Sequence, residues 1–344
     1  MGVPAIAGAG VSGLRSVPLA LLLSGVLATL PAAAQEAAGH LVIVSGLSGE
    51  ERFARDYLAW GRGLHEAAVE RYGLPPANVV WLAENAGAHA AIRDRSTRAN
   101  LERELRGLAA RAGSADRVLI VIFGHGSYQA GESRINLPGP DINGTQLAAL
   151  LAALGGRPVA VVNATSASGG FIQDLAAANR IVITATKSGM EANETVFGQH
   201  FAAALTGDAA DTDQDGRVSL LEAFEYARTE VAREYQRGNK LQTEHAVLDG
   251  VCDGQGVTEI AAASPHAQAA GTFHLGTVST AAAGAAPELR ALYEAKARIE
   301  EALAALRARK ESMPEAEYEA ALEKLLVELS ENGRAIRRIE GGGA

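Results

Sequence analysis

The chain has 344 residues, 48% of them hydrophobic but only 5% aromatic, and carries 31 basic against 40 acidic side chains for a net charge of −9. That length accommodates one sizeable α/β domain and a smaller addition, and the apolar fraction supplies a core. An acidic chain without a basic patch argues against nucleic-acid binding, and a single cysteine excludes an intramolecular disulfide.

Residues 1–34 read as a secretory signal. Arg15 is the positive flank, Val17 to Leu30 the apolar core, and Ala32-Ala33-Ala34 a small-residue cleavage site. The apolar core is shorter than the roughly 20 residues a membrane-spanning helix needs. The expectation is an exported protein, periplasmic or extracellular, with no span after cleavage.

In the mature chain, strands are expected at 41–46, 79–84, 118–123, 159–162 and 181–185. Helices are expected at about 50–72, 96–111, 144–154, 193–205 and 220–235. The segment 135–141, Ile-Asn-Leu-Pro-Gly-Pro-Asp, reads as a turn-rich loop bordering a cleft. Strands alternating with helices of this length imply βαβ units and a largely parallel sheet with helices on both faces. The α/β domain is placed at 40–207. Two of its strands end abruptly in small and polar residues: Val118–Phe123 runs into Gly124-His125-Gly126-Ser127, and Val159–Val162 into Asn163-Ala-Thr-Ser166-Ala-Ser168-Gly169-Gly170. Reacting groups of open α/β sheets gather at such carboxyl ends.

These two motifs resemble the legumain and caspase class of cysteine peptidases, and in particular its legumain-like bacterial branch. In that class a His-Gly, often His-Gly-Ser, ends one strand, and a Cys-x-Ser-Gly follows the next. The resemblance covers about residues 40–245 and extends to Arg180-Ile-Val-Ile-Thr-Ala-Thr-Lys-Ser-Gly. It implies a caspase-like fold, His125 as base or acid, the Gly126 backbone N–H as part of an oxyanion hole, and Ser166 where the nucleophilic cysteine would stand.

That serine is the point of departure. A hydroxyl is far less acidic than a thiol and needs a base in direct contact, itself oriented by a carboxylate. No obvious third member accompanies His125, and Gly-x-Ser-x-Gly is absent around Ser166. Three readings stay open. The favoured one is an impaired peptidase homologue that binds a peptide or protein ligand. The second is an active endopeptidase using His125 and Ser166. The third makes both residues polar strand ends that cap helices, leaving a non-enzymatic scaffold that acts through its carboxyl-terminal helices. Cys252, among acidic neighbours in a turn-rich segment, is a poor substitute nucleophile.

Residues 208–260 carry an acidic loop and its flanking helix. Asp211, Asp213, Asp215, Gly216, Arg217, Ser219 and Glu222 satisfy the EF-hand pattern D-x-[DN]-x-[DN]-G-x5-E. Calcium takes six to eight oxygens, so alternate carboxylates, the Arg217 carbonyl, Ser219 and a closing Glu222 suit it, in a structural role. Residues 261–286, rich in Ala, Gly and Ser, read as a linker. Residues 287–340 read as a helical hairpin of coiled-coil character. Leu289, Leu292, Ile299, Leu303 and Leu306 fall at helical spacing, as do Tyr318, Leu322, Leu325 and Leu329, with Pro314 between the two runs. The apolar seam of the hairpin packs on itself, on the main domain or on another subunit.

Overall fold

Seven strands build the main sheet, and their side chains alternate between two separate hydrophobic cores. In this computed structural model, residues 1, 37–213, 216–276, 287–310 and 313–341 are described. The signal reading of 1–34 therefore lies outside them, and so does Asp215. The strands are β1 (Gly39–Ser45), β2 (Val79–Ala83), β3 (Asp94–Arg95), β4 (Arg117–Phe123), β8 (Val159–Asn163), β9 (Arg180–Thr184) and β10 (Val247–Asp249), in the order β10-β9-β8-β4-β1-β2-β3. All neighbours run parallel except β10, which is antiparallel to β9. A second sheet of β5 (Gly126–Gln129), β6 (Glu132–Ile135) and β7 (Ile142–Asn143) rises from the carboxyl end of β4.

The period-2 alternation of β1 assigns Leu41 and Ile43 to one face and Val42 and Val44 to the other. On the first face pack α1 (Glu51–Glu66), α5 (Phe197–Thr206) and α6 (Leu220–Arg237), through Phe53, Tyr57, Leu64, Phe197, Phe201 and Phe224. The second face receives α2 (Arg98–Arg111), α3 (Gly144–Leu151) and α4 (Phe171–Leu175), through Leu101, Leu105, Leu147, Leu151 and Phe171. Central parallel strands covered on both faces read as continuous apolar runs. That is why Val118–Phe123 and Val159–Val162 are plain in the sequence.

The chain departs from the sequence reading in several places. Residues 126–135 form a hairpin where no strand is expected. Ala130 (φ 53°) and Gly131 (φ 86°) make its two-residue turn, which needs positive φ at both positions. The helix expected from 193 starts at Phe197, because the Glu244 carboxylate accepts the N–H groups of Val196 (2.8 Å) and Phe197 (3.1 Å) and sets the first turn there. The 208–260 segment is no mere addition to the 40–207 domain, since it supplies β10 to the main sheet. The stretch read as a linker holds α7 (Pro265–Gly271), with Ala267 and Ala270 buried; Ser264 caps it and Pro265 takes its first position. Two long helices follow, α8 (Pro287–Ala308) and α9 (Glu315–Gly341), which pack on one another around Tyr293 and Ile336. Among the described residues no helix is long and apolar enough to cross a membrane.

Helix α1 approaches the sheet closely at Gly61, where a Cβ would come within 2.5 Å of the Trp81 indole. Gly→Ala inside a helix ordinarily stabilises by about 1 kcal/mol. Gly61→Ala is expected to destabilise instead, by about 1–3 kcal/mol of overpacking in a urea titration. A gain in stability would show that α1 does not sit on Trp81.

Glu244 yields a pH prediction. It is 1% exposed, and burial pushes its carboxyl up from 4.5 to about 7, against the two backbone N–H groups and the Tyr235 hydroxyl that favour the charge. The folded chain therefore binds this proton more tightly than the unfolded one. The resulting stability is fully present below 4.5 and is lost as pH rises through about 7. Across that window wild type is expected to lose about 3 kcal/mol relative to Glu244→Gln. Parallel urea midpoints for the two proteins would refute the assignment.

Candidate active site

Strands β4 and β8 pair in parallel from Val118↔Val159 to Ile122↔Asn163, so their carboxyl ends lie side by side. Past Phe123 the chain turns through Gly124 to His125 and enters β5 at Gly126. Past Asn163 it makes a sharp turn held by the Asn163 side chain, whose Oδ1 accepts the N–H and the hydroxyl of Thr165 (3.2 and 2.8 Å). Ser166 follows, 4% exposed, and then Ala167 in the left-handed region at φ 55°. That conformation costs an L-residue roughly 1–2 kcal/mol and persists because its surroundings hold it. The Ala167 N–H donates to the Glu191 carbonyl (2.9 Å). The Glu191 carboxylate in turn accepts the Lys187 N–H (3.0 Å) and binds His245, at its backbone N–H (3.1 Å) and Nδ1 (2.6 Å). Two residues on, Ser168 Oγ pairs with Thr186 Oγ1, and the Gly169 N–H donates to the same Thr186 oxygen (2.8 Å).

The three residues singled out at the strand ends do come together, with a definite pattern of bonds. Ser166 Oγ accepts the Gly126 N–H (3.0 Å) and donates to the Gly126 carbonyl (3.1 Å). Both functions of the hydroxyl are thus engaged by one backbone residue. The N–H assigned to an oxyanion hole is the one Ser166 occupies. Gly126 has no alternative at this point: a Cβ there would collide with the Ser166 carbonyl oxygen and crowd Thr165 and Arg134.

His125 faces elsewhere. Its Nε2 lies 3.0 Å from the Ser48 carbonyl and 3.5 Å from the Tyr57 hydroxyl, and its ring meets Phe53 edge-on at 4.5 Å between centroids. A carbonyl only accepts, so Nε2 is the donor in this contact. Burial raises the Tyr57 pKa, so its hydroxyl stays protonated. Among the described residues no carboxylate bonds to the His125 ring, and no hydrogen bond joins it to Ser166. Ser48, Phe53, Tyr57, Glu191 and His245 were not singled out from the sequence. The carboxyl-end rule flags the loop after β1 that holds Ser48, and the i, i+4 spacing of Phe53 and Tyr57 marks a buried helix face. Glu191 and His245 carry no local signal.

In the acidic loop, carboxylate oxygens of Asp211, Asp213 and Glu222 lie within 4.8 Å of one another. Gly216 (φ 80°) makes the turn, and its N–H donates to Asp211 Oδ2 (2.9 Å). Ser219 and Glu222 also form a capping box that starts α6. Glu222 Oε1 accepts the Thr212 N–H (2.9 Å) and hydroxyl (3.0 Å). The Arg217 side chain turns inward, buried, and binds Glu300 of α8 (2.8 Å).

No protein-family model matches the chain, and no curated protein matches it. Among solved structures it is similar to a protein from Geobacter sulfurreducens, at 14% identity and a TM-score of 0.39, over 56% of this chain and 89% of that one. It is also similar to the Drosophila initiator caspase Dronc, at 10% identity and a TM-score of 0.34, over 63% of this chain and 81% of that one.

Proposed function

We propose that this chain is a caspase- and legumain-like peptidase homologue of impaired catalysis, exported and binding an extended peptide at the His125–Ser166 cleft. The observation that carries the reading is the double engagement of Ser166 Oγ by Gly126. A serine nucleophile needs its base in contact and an oriented imidazole behind it. Here the hydroxyl proton points to a carbonyl, the imidazole leans on Ser48, and no carboxylate backs the ring among the described residues.

The test is hydrolysis of a diverse fluorogenic peptide library by wild type, Ser166→Cys and His125→Ala. Wild type is expected to be silent, whereas Ser166→Cys cleaves at least ~100-fold above it. Cleavage by wild type that disappears in His125→Ala would sink the impaired reading and establish a serine peptidase. Silence from all three favours the scaffold.

A second reading rests on the converging carboxylates of Asp211, Asp213 and Glu222: the loop holds a structural calcium ion. Asp211, Asp213 and Asp215 with Glu222 would supply carboxylate oxygens, Arg217 its carbonyl, and Ser219 a hydroxyl or a bridging water. For a site with Kd of about 1 mM, 10 mM calcium adds ~1.4 kcal/mol and raises Tm by roughly 3–6 °C. Asp213→Ala is expected to abolish that rise in a thermal melt. An equal rise in the variant would rule the site out.

A further inference from the structure

Helix α9 is the second arm of the carboxyl-terminal hairpin, and its 27 residues extend for about 40 Å. Tyr318, Leu322, Leu325, Leu329 and Ile336 are buried or half-buried at the spacing of a coiled-coil seam, and α8 packs against the helix. That seam covers one side only.

On another side, Leu326 and Val327 are 45% and 49% exposed. They are the only two large apolar side chains adjacent in sequence that stay exposed among the described residues. Leu322, Glu319, Glu323 and Ser330 surround them, and no other element contributes to the patch. Single exposed apolar side chains are ordinary; what sets this pair apart is the charge beside it.

Before the pair in sequence come Glu315, Glu319 and Glu323, and after it Arg334 and Arg338, all five exposed. The order is palindromic. Glu319 stands seven residues before Leu326 and Arg334 seven after Val327; Glu315 and Arg338 stand eleven residues away on either side. Seven and eleven residues are close to whole turns of a helix, so these charges share the side of the patch. The helix dipole also favours acid first and base last, but its effect fades within the end turns. Glu323 and Arg334 lie about two turns inside the ends of α9. The helix pairs Lys324 with Glu328 (4.0 Å), whereas Glu319, Glu323 and Arg334 have no ion-pair partner among the described residues.

We propose that this face of α9 pairs with the same face of a second copy of the chain, antiparallel about a two-fold axis between Leu326 and Val327. Such an isologous contact sets Leu326 of one copy against Val327 of the other. It also sets Glu323 against Ser330, Glu319 against Arg334 and Glu315 against Arg338, each twice. A parallel pairing would oppose Glu to Glu and Arg to Arg, so the charges select the antiparallel one. Specific interfaces bury roughly 1,200–2,000 Å2, and one helix face lies at or below that range. The dimer therefore forms and dissociates reversibly, and salt weakens it. This surface does not depend on how the peptide cleft is read.

Sedimentation equilibrium of the full chain at low salt, over about a hundredfold range of concentration, tests the proposal. Wild type is expected to pass from monomer to dimer. Glu319→Arg and Arg334→Glu each turn two attractive pairs into repulsive ones and should raise the dissociation constant about 10-fold. The double variant Glu319→Arg/Arg334→Glu restores both pairs and should return to the wild-type constant. Val327→Glu should weaken the dimer whatever the salt. All four positions of substitution are on the exposed face, and equal thermal melts at the lowest concentration would confirm that the variants fold. A wild type that stays monomeric throughout overturns the proposal and leaves the face to another partner or to solvent. A dimer indifferent to these substitutions places the contact elsewhere, and single variants that the double one does not rescue exclude the antiparallel register.

Discussion

Everything at the candidate site depends on two strand ends meeting where there is no room for a side chain. The parallel pairing of β4 with β8 brings the ends together, and Gly126 lets β5 start against the Ser166 carbonyl. The serine hydroxyl then does what a neighbouring strand would do, offering an acceptor to one backbone N–H and a donor to one carbonyl. Oxygen suits both halves of that task; sulfur is a weak donor and a weak acceptor. Serine at this position is therefore matched to closing the backbone, whatever it loses in nucleophilicity.

The same economy of polar groups recurs around the turn. Neighbouring residues Glu244 and His245 serve two elements: Glu244 holds the start of α5, and His245 anchors Glu191, whose carbonyl holds the left-handed Ala167. Strain next to Ser166 is thus held in place by the residues that lead into β10, two strands along the sheet, across a sequence separation that no local pattern reveals. Glu244 is the sensitive member, because it is buried and its removal leaves the Phe197 N–H unsatisfied in a medium of low dielectric.

How much was legible follows from how each part is stabilised. The central strands and the helices that cover them announce themselves through periodicity, since burial of one helix face or both strand faces dictates residue type at fixed spacing. The Gly126–Ser166 meeting was legible as a pair of motifs, because close approach demands glycine and small residues. The hairpin at 126–135 was hidden because its strands are short, half exposed and mostly polar. The environment of His125 was hidden too: Ser48 contributes a carbonyl, which any residue could supply, and Tyr57 reads as an ordinary core aromatic on α1. Helix α7 carried its start signal, Ser264-Pro265, inside a composition that otherwise suggests a linker.

The antiparallel strand β10 has a consequence for the order in which the molecule assembles. It closes the sheet beside β9, yet the chain between them must first form α5, the acidic loop and α6. Closing a loop of that length costs entropy that only the packing of those helices can offset. Until β10 arrives, β9 is a bare apolar edge, able to pair with any other exposed strand. A nascent or nicked chain lacking residues 247–249 would keep its buried strands and expose the outermost of them, so protection from self-association arrives late in synthesis.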